Sequence, residues 1–148
     1  MKLSKKSRYG LRALIDLAVN SKTNHIALNN IAERNKISLQ YLEQIFASLR
    51  RAKIVKSVKG PQGGYLLNRE PEKITVAEIL EALDGTYRVE NEGTWEEDNY
   101  HEISDTIQEM VIDQVNEKLD EVLQNMTLAD LVKHHLEYNQ CHQDMYYI

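Results

Sequence analysis

Residues 37–67 read "ISLQYLEQIFASLRRAKIVKSVKGPQGGYLL". The apolar period changes inside this stretch, and that change decides the fold. Up to Arg51, the residues Leu42, Ile45, Phe46 and Leu49 recur every three or four positions, which is the helix period. Ser38 stands where a helix N-cap belongs, and Ile37 and Leu42 flank it as a hydrophobic staple. After Arg51 the pattern turns β-branched in "IVKSV", passes through a glycine- and proline-rich turn, and resumes as "YLL". A helix followed at once by strand, turn and strand predicts a β-hairpin behind a helix.

The turn behind Lys59 admits two readings. A glycine-rich loop can cradle the phosphates of a nucleotide. It can also form the tip of a hairpin that lies along a nucleic-acid backbone. The phosphate-loop pattern needs a lysine and a Ser or Thr directly after its last glycine, opening a helix. Here Gly64 is followed by Tyr65 and Leu66 in a strand. No Ser/His/Asp or paired-carboxylate arrangement stands out either. We therefore expect no enzyme, and no catalytic residue is assigned.

Upstream, "RYGLRALIDLAVN" (8–20) places Leu11, Leu14, Ile15 and Ala18 on one helix face. Residues 20–24 read as a polar turn, and "ALNNIAERN" as a second, short helix that Asn35–Lys36 ends. Two helices joined by a short turn make a helix-turn-helix, and a hairpin directly after one makes it winged. The second helix offers Gln40, Tyr41, Glu43, Gln44 and Ser48 opposite its apolar stripe. Amides pair with adenine, and a carboxylate accepts from the cytosine amine. Gln40, Tyr41, Glu43 and Gln44 are the expected base readers. Glu43 selects rather than adds affinity, because phosphates repel it unless it meets a donor. Ser38, Lys5, Lys6, Arg50 and Arg51 are expected on the DNA backbone, and Lys59, Gly60, Pro61 and Gln62 at the tip of the wing. The alternative for each is a solvated surface group.

A net charge of −5 argues against this only on average. Residues 1–70 carry 14 Lys/Arg against 4 Asp/Glu, and residues 71–148 carry 4 against 19. A basic half joined to an acidic half is the asymmetry of a nucleic-acid-binding module carrying a separate element. No apolar run reaches the ~18 residues of a membrane span, so no membrane association is expected. Arg12 and Asp16 interrupt the first apolar segment, which does not read as a signal peptide, and a cytoplasmic location is expected.

Downstream, Thr75 and Glu78 form a capping box that opens a helix stopped by Gly85. Residues 86–99 read as an acidic loop containing Trp95, which marks either a ligand pocket or a dimer contact. From about Tyr100 to Gln124, Ile103, Ile107, Val111, Val115, Leu119 and Val122 form one stripe on a long helix. Such a stripe folds back on the basic half or packs on a second copy; we expect the second copy, and so a homodimer. Thr127 and Asp130 cap a final short helix, "TLADLVKHH", before a tail, "LEYNQCHQDMYYI", with no clear period. The expected fold is mostly α with a small β-hairpin. A winged helix-turn-helix domain spans 1–85, the acidic loop 86–99, and a dimerisation helix with a C-terminal tail 100–148.

"MKLSKKSRYGLRALIDLA", "ISLQYLEQIFASLR", "VKGPQGGYLL" and, after the long helix, "NMTLADL" together resemble the Rrf-two family of winged-helix transcription regulators. The resemblance implies a homodimer, crossed through the long helix, on a partly palindromic operator in double-stranded DNA. Cluster-binding members of that family place three cysteines in the loop before the long helix. Here that loop, "TYRVENEGTWEEDNYHE", has none, so no iron–sulfur cluster and no other cofactor is expected. The chain is most similar to the cluster-free cysteine-metabolism repressor branch, whose end resembles "MYYI". That similarity implies a repressor of cysteine and sulfur metabolism genes. It also implies a complex with cysteine synthase (O-acetylserine sulfhydrylase) through Tyr147 and Ile148, the alternative being a tail packed on the dimer. A different signal within the same fold, redox, metal or nitric oxide, would run through Cys141 or through His134, His135 and His142. The histidines have no recognisable ligand spacing, and no metal site is assigned.

Overall fold

The computed structural model describes residues 2–93 and 101–146. The helices are α1 (Lys5–Asn20), α2 (Leu28–Asn35), α3 (Leu39–Arg51), α4 (Val76–Asp84), α5 (His101–Ile107), α6 (Asp113–Leu123) and α7 (Leu128–Tyr146). Strands β1 (Val55–Val58) and β2 (Gly64–Leu67) form an antiparallel hairpin in which Val55 pairs with Leu67 and Val58 with Gly64. This is the expected winged helix-turn-helix.

Local chemistry sets most of the boundaries. Ser38 caps α3 by accepting from the Tyr41 N–H, and Thr75 and Glu78 form the reciprocal capping box on α4. Lys36, in the left-handed region at φ 53°, turns the chain between α2 and α3. α1 starts three residues earlier than its apolar period indicates. Ser4 caps it, and the basic first turn contributes little to the apolar stripe.

The core gathers Leu14 and Leu17 from α1, Ile31 from α2, Leu42, Ile45, Phe46 and Leu49 from α3, and Ile54 before the wing. Each such buried side chain stabilises by about 1.5–3 kcal/mol. Leu128, from the start of α7, is fully buried in the same core. Backbone bonds from Val76 N to Met126 O and from Leu128 N to Ile74 O, both 2.8 Å, clamp the start of α7 to the start of α4. The core of residues 1–85 is therefore completed from beyond them.

α5, a five-residue π turn (Gln108–Ile112) and α6 follow without a break, with right-handed helical backbone at both junctions. The π turn has a packing consequence. Four-residue steps on an α-helix advance by roughly 40° each, so Ile103 to Leu119 would drift by roughly 160°. One inserted residue takes back roughly 100° and holds the stripe on one side. Ile103, Ile107, Val111, Val115 and Val122 are exposed. Leu119 is not: it packs with Leu123 against Val76, Ala77, Leu80 and Tyr87 of its own chain. The long helix thus both folds back along one edge and leaves the rest of its stripe open.

The segment expected to be an aperiodic tail is instead the continuation of α7 to Tyr146. Its residues 133–145 are exposed, so no apolar stripe marks the helix in the sequence. Pairs one turn apart support it instead, with Asn139 Nδ2 3.3 Å from His135 Nε2 and Tyr138 edge-on to His142. Tyr147, Ile148 and Trp95 lie outside the described residues.

Candidate nucleic-acid interface

α3 presents its polar face to solvent because its other face fills the core. Gln40, Glu43 and Gln44 are exposed there, with no side-chain partner among the described residues. Tyr41 is only half-exposed, and its ring stands edge-on to Tyr9 at 5.8 Å. Ser48, read in the sequence as part of the open face, is buried. Its hydroxyl accepts from Lys6 Nζ at 3.1 Å and from Arg51 Nη2 at 3.2 Å. The polarity of Ser48 thus serves to hold two cations of α1 and α3 together. Arg50 and Arg51 remain exposed and Lys6 is half-exposed.

At the other end of α3, Lys5, Tyr9, Lys36, Ile37, Ser38 and Tyr41 line a groove of about 470 Å³. The Lys5 ammonium lies 5.4 Å from the centre of the Tyr9 ring, within cation–π range. Two lysines beside a helix N-terminus and a capping hydroxyl suit a phosphate. Tyr9 and Lys36 were missed in the sequence. Lys36 could have been found as the basic residue of the turn directly ahead of Ser38; Tyr9 could have been found one helical turn after Lys5.

The wing carries Lys59, Gly60, Pro61 and Gln62 at its exposed tip, where Gly63 N donates to Gly60 O at 2.9 Å. Its glycines differ in purpose. Gly60 has φ 120°, which side chains rarely tolerate. Gly64 is there for proximity: a Cβ on it would stand 2.3 Å from the Ile26 carbonyl oxygen. Ile26 and Tyr65 exchange backbone bonds of 3.0 and 2.9 Å, so Ile26 is a one-residue third strand beside β2.

The segment after α4 is laid along one face of the long helix by polar bonds. Tyr87 Oη donates to Asp120 Oδ1 at 2.6 Å and Arg88 Nη1 to Asp120 Oδ2 at 3.0 Å. Asn116, buried, accepts from Val89 N at 2.7 Å and donates to Val89 O at 3.1 Å. Gln108 Oε1 accepts from Glu92 N at 2.8 Å. Residues 108, 116 and 120 thus take up 92, 89 and 87–88 in antiparallel order. Burial, then the bond to Asp120, raises the pKa of the Tyr87 phenol.

A two-helix motif with an open polar face, a basic groove at its end and a hairpin wing defines the class of winged helix-turn-helix transcriptional regulators. Within that class, the profile of the family described as "Rrf2: Iron-dependent Transcriptional regulator" matches residues 3–134, and the chain belongs to this family. Over 84 residues, 57% of this chain, it is 48% identical to the HTH-type transcriptional regulator IscR of Klebsiella pneumoniae. The match spans 52% of that relative's length, about half of it. Among solved structures, CymR (YrzC), the global cysteine regulator of B. subtilis, is similar at TM-score 0.72 and 33% identity, over 90% of this chain and 98% of that one. T. potens IscR is similar at TM-score 0.71 and 39% identity, over 91% and 88%.

The family description raises the question of iron. Thiolates hold iron–sulfur clusters. The chain has one cysteine, Cys141, and it lies exposed on α7 rather than between α4 and α5. Among the described residues, no group of three or more His, Cys, Asp or Glu side chains converges as a metal would need. The donor set, with a single cysteine, does not fit a cysteine-ligated cluster.

Proposed function

We propose that the chain is a homodimeric, DNA-binding transcriptional repressor. α3 enters the major groove, with Gln40, Glu43 and Gln44 toward base edges and Tyr41 at the margin. Lys5, Lys6, Ser38, Arg50 and Arg51, joined by Lys36, position it on phosphates, and Lys59–Gln62 meet the flanking backbone. The observation that carries this reading is the exposed polar face of α3, whose side chains have no partner among the described residues, with the lysine groove at its N-terminal end and the hairpin following its C-terminal end.

The homodimer reading rests on a groove of about 660 Å³ between the long helix and α1 and α4, lined by Leu3, Leu11, Leu80, Val111, Val115 and Val122 among others. A second copy presenting the same stripe fits it by two-fold symmetry, and exposed apolar surface of this kind marks an association site. Two recognition helices in such a dimer meet major grooves one turn of B-DNA apart, about 34 Å.

For the signal, we favour cysteine and sulfur metabolism, with cysteine synthase as partner at Tyr147 and Ile148. The similarity to the cysteine regulator over nearly the full chain, and a donor set unsuited to a cluster, support it. Pull-down of cysteine synthase by the full chain and by a chain ending at Tyr146 tests the tail. Equal capture by both refutes it. The second reading is a redox response through Cys141, favoured by the exposure of its thiol. Loss of the response in Cys141→Ser supports it, and retention removes it.

Selection of duplexes from a randomised pool tests the DNA reading itself. A partly palindromic sequence with steeply salt-dependent affinity is expected. A chain that enriches no sequence, or binds with little dependence on salt, refutes it.

A further inference from the structure

We infer that His25 is a positioning residue for DNA binding, a latch that fixes the tip of the wing through the Gln62 carbonyl. The inference rests on the DNA-binding reading but assigns a role to a residue outside every group discussed above. The ring Nε2 of His25 meets the backbone oxygen of Gln62. That oxygen can only accept, so Nε2 carries a proton, and the neutral ring is the Nε2–H tautomer.

The geometry around this bond explains what it controls. Gln62 lies in the Gly60–Gly63 turn, which is otherwise closed by the single bond from Gly63 N to Gly60 O at 2.9 Å. Residues 59–62 are all exposed, so no packing holds the tip. The latch comes from the opposite edge of β2. Ile26, the next residue, is tied to Tyr65 by two backbone bonds, and α2 begins two residues later at Leu28, which packs on the core. His25 therefore connects the wing tip to the rigid start of the helix-turn-helix rather than to the hairpin alone. A tip fixed before DNA arrives loses less conformational freedom on binding. It also meets the flanking backbone at a set distance from α3.

The lysine groove lies at the far, N-terminal end of α3 and shares no residue with the latch, so the two ends of the proposed interface depend on separate groups. Losing the latch should weaken the wing contact and leave α3 unchanged. Loss of one such hydrogen bond corresponds to affinity about three- to tenfold weaker.

Two replacements separate the bond from the ring. His25→Phe keeps a flat ring and removes the donor; His25→Gln restores a donor on a flexible side chain. Both are compared with the wild type on the duplex the wild-type chain selects from a randomised pool. His25→Phe should bind three- to tenfold more weakly and lose hydroxyl-radical protection at the flanks. Purine-methylation interference at the central major-groove positions should stay unchanged. His25→Gln should recover most of the flank protection. Unchanged affinity and protection in His25→Phe, or equal impairment of both variants, overturns the latch. A wild-type chain that selects no duplex refutes the DNA reading, and the latch is then decided on the free protein. Long-range ¹H–¹⁵N correlation at a pH where the ring is neutral should find the Nε2–H tautomer, and the Nδ1–H tautomer overturns it.

Discussion

Replacing Asn116 with alanine should loosen the segment after α4. Asn116 is 2% exposed, and both halves of its amide go to one residue, accepting from Val89 N and donating to Val89 O. Alanine removes both partners at once. Each buried backbone group left unpaired costs about 1–3 kcal/mol. Val89 is only half-buried, so water reaches part of the gap. The lower end of the range applies, giving about 2 kcal/mol in total. For a chain of this length that is roughly 4–8 °C in Tm. Thermal and urea unfolding at one fixed protomer concentration read the effect, because the proposed dimer would make stability concentration-dependent. Asn116→Asp is the sharper control. It keeps an acceptor for Val89 N but sets a carboxylate oxygen against the Val89 carbonyl, so it should be at least as destabilising as alanine. Hydrogen exchange at Val89 should accelerate in both. A change below about 0.5 kcal/mol in Asn116→Ala, with Val89 exchange unaltered, would refute the claim that this amide clamps the segment.

Three further outcomes are expected. Val115→Glu places a carboxylate in the groove assigned to the second copy, and sedimentation should find the dimer weakened by a factor on the order of 100 or more, since an unpaired buried charge costs several kcal/mol; an intact dimer contradicts the groove assignment. Lys36→Ala should lower the slope of log affinity against log salt by about 0.9 while leaving sequence preference intact, as expected for one lost phosphate contact. The raised pKa of the Tyr87 phenol means the folded chain holds this proton more tightly than the unfolded one. That contribution is fully present below the unfolded phenol value of about 10 and is lost as pH rises through the higher folded value; urea unfolding across that window should lose stability less steeply in Tyr87→Phe.

The sequence disclosed the helix-turn-helix and wing because their signals are local. Ser38, Thr75 and Gly85 act on backbone groups within one turn, and the change of period after Arg51 needs no tertiary information. The open face of α3 was legible as the complement of its apolar stripe. What stayed hidden depends on contacts distant in the chain. Ser48 looks like a surface hydroxyl until Lys6, 42 residues away, is brought to it. Asn116 looks like any polar residue on a long helix until Val89 is laid across it. Ile26 is a strand only because Tyr65 is opposite. The second half of α7 was invisible for another reason: a helix exposed on all sides has no apolar period to read.

If the polar face of α3 reads bases, removing the carboxylate of Glu43 should show it. Its carboxylate is exposed on that face and is the one group there that phosphates repel. Sequence selection with Glu43→Ala, run beside the wild type, should relax preference at one base position in each half-site. Affinity for other sequences should be equal or higher, and the salt slope unchanged. An unaltered preference at every position, or a uniform loss of binding across all sequences, would contradict it.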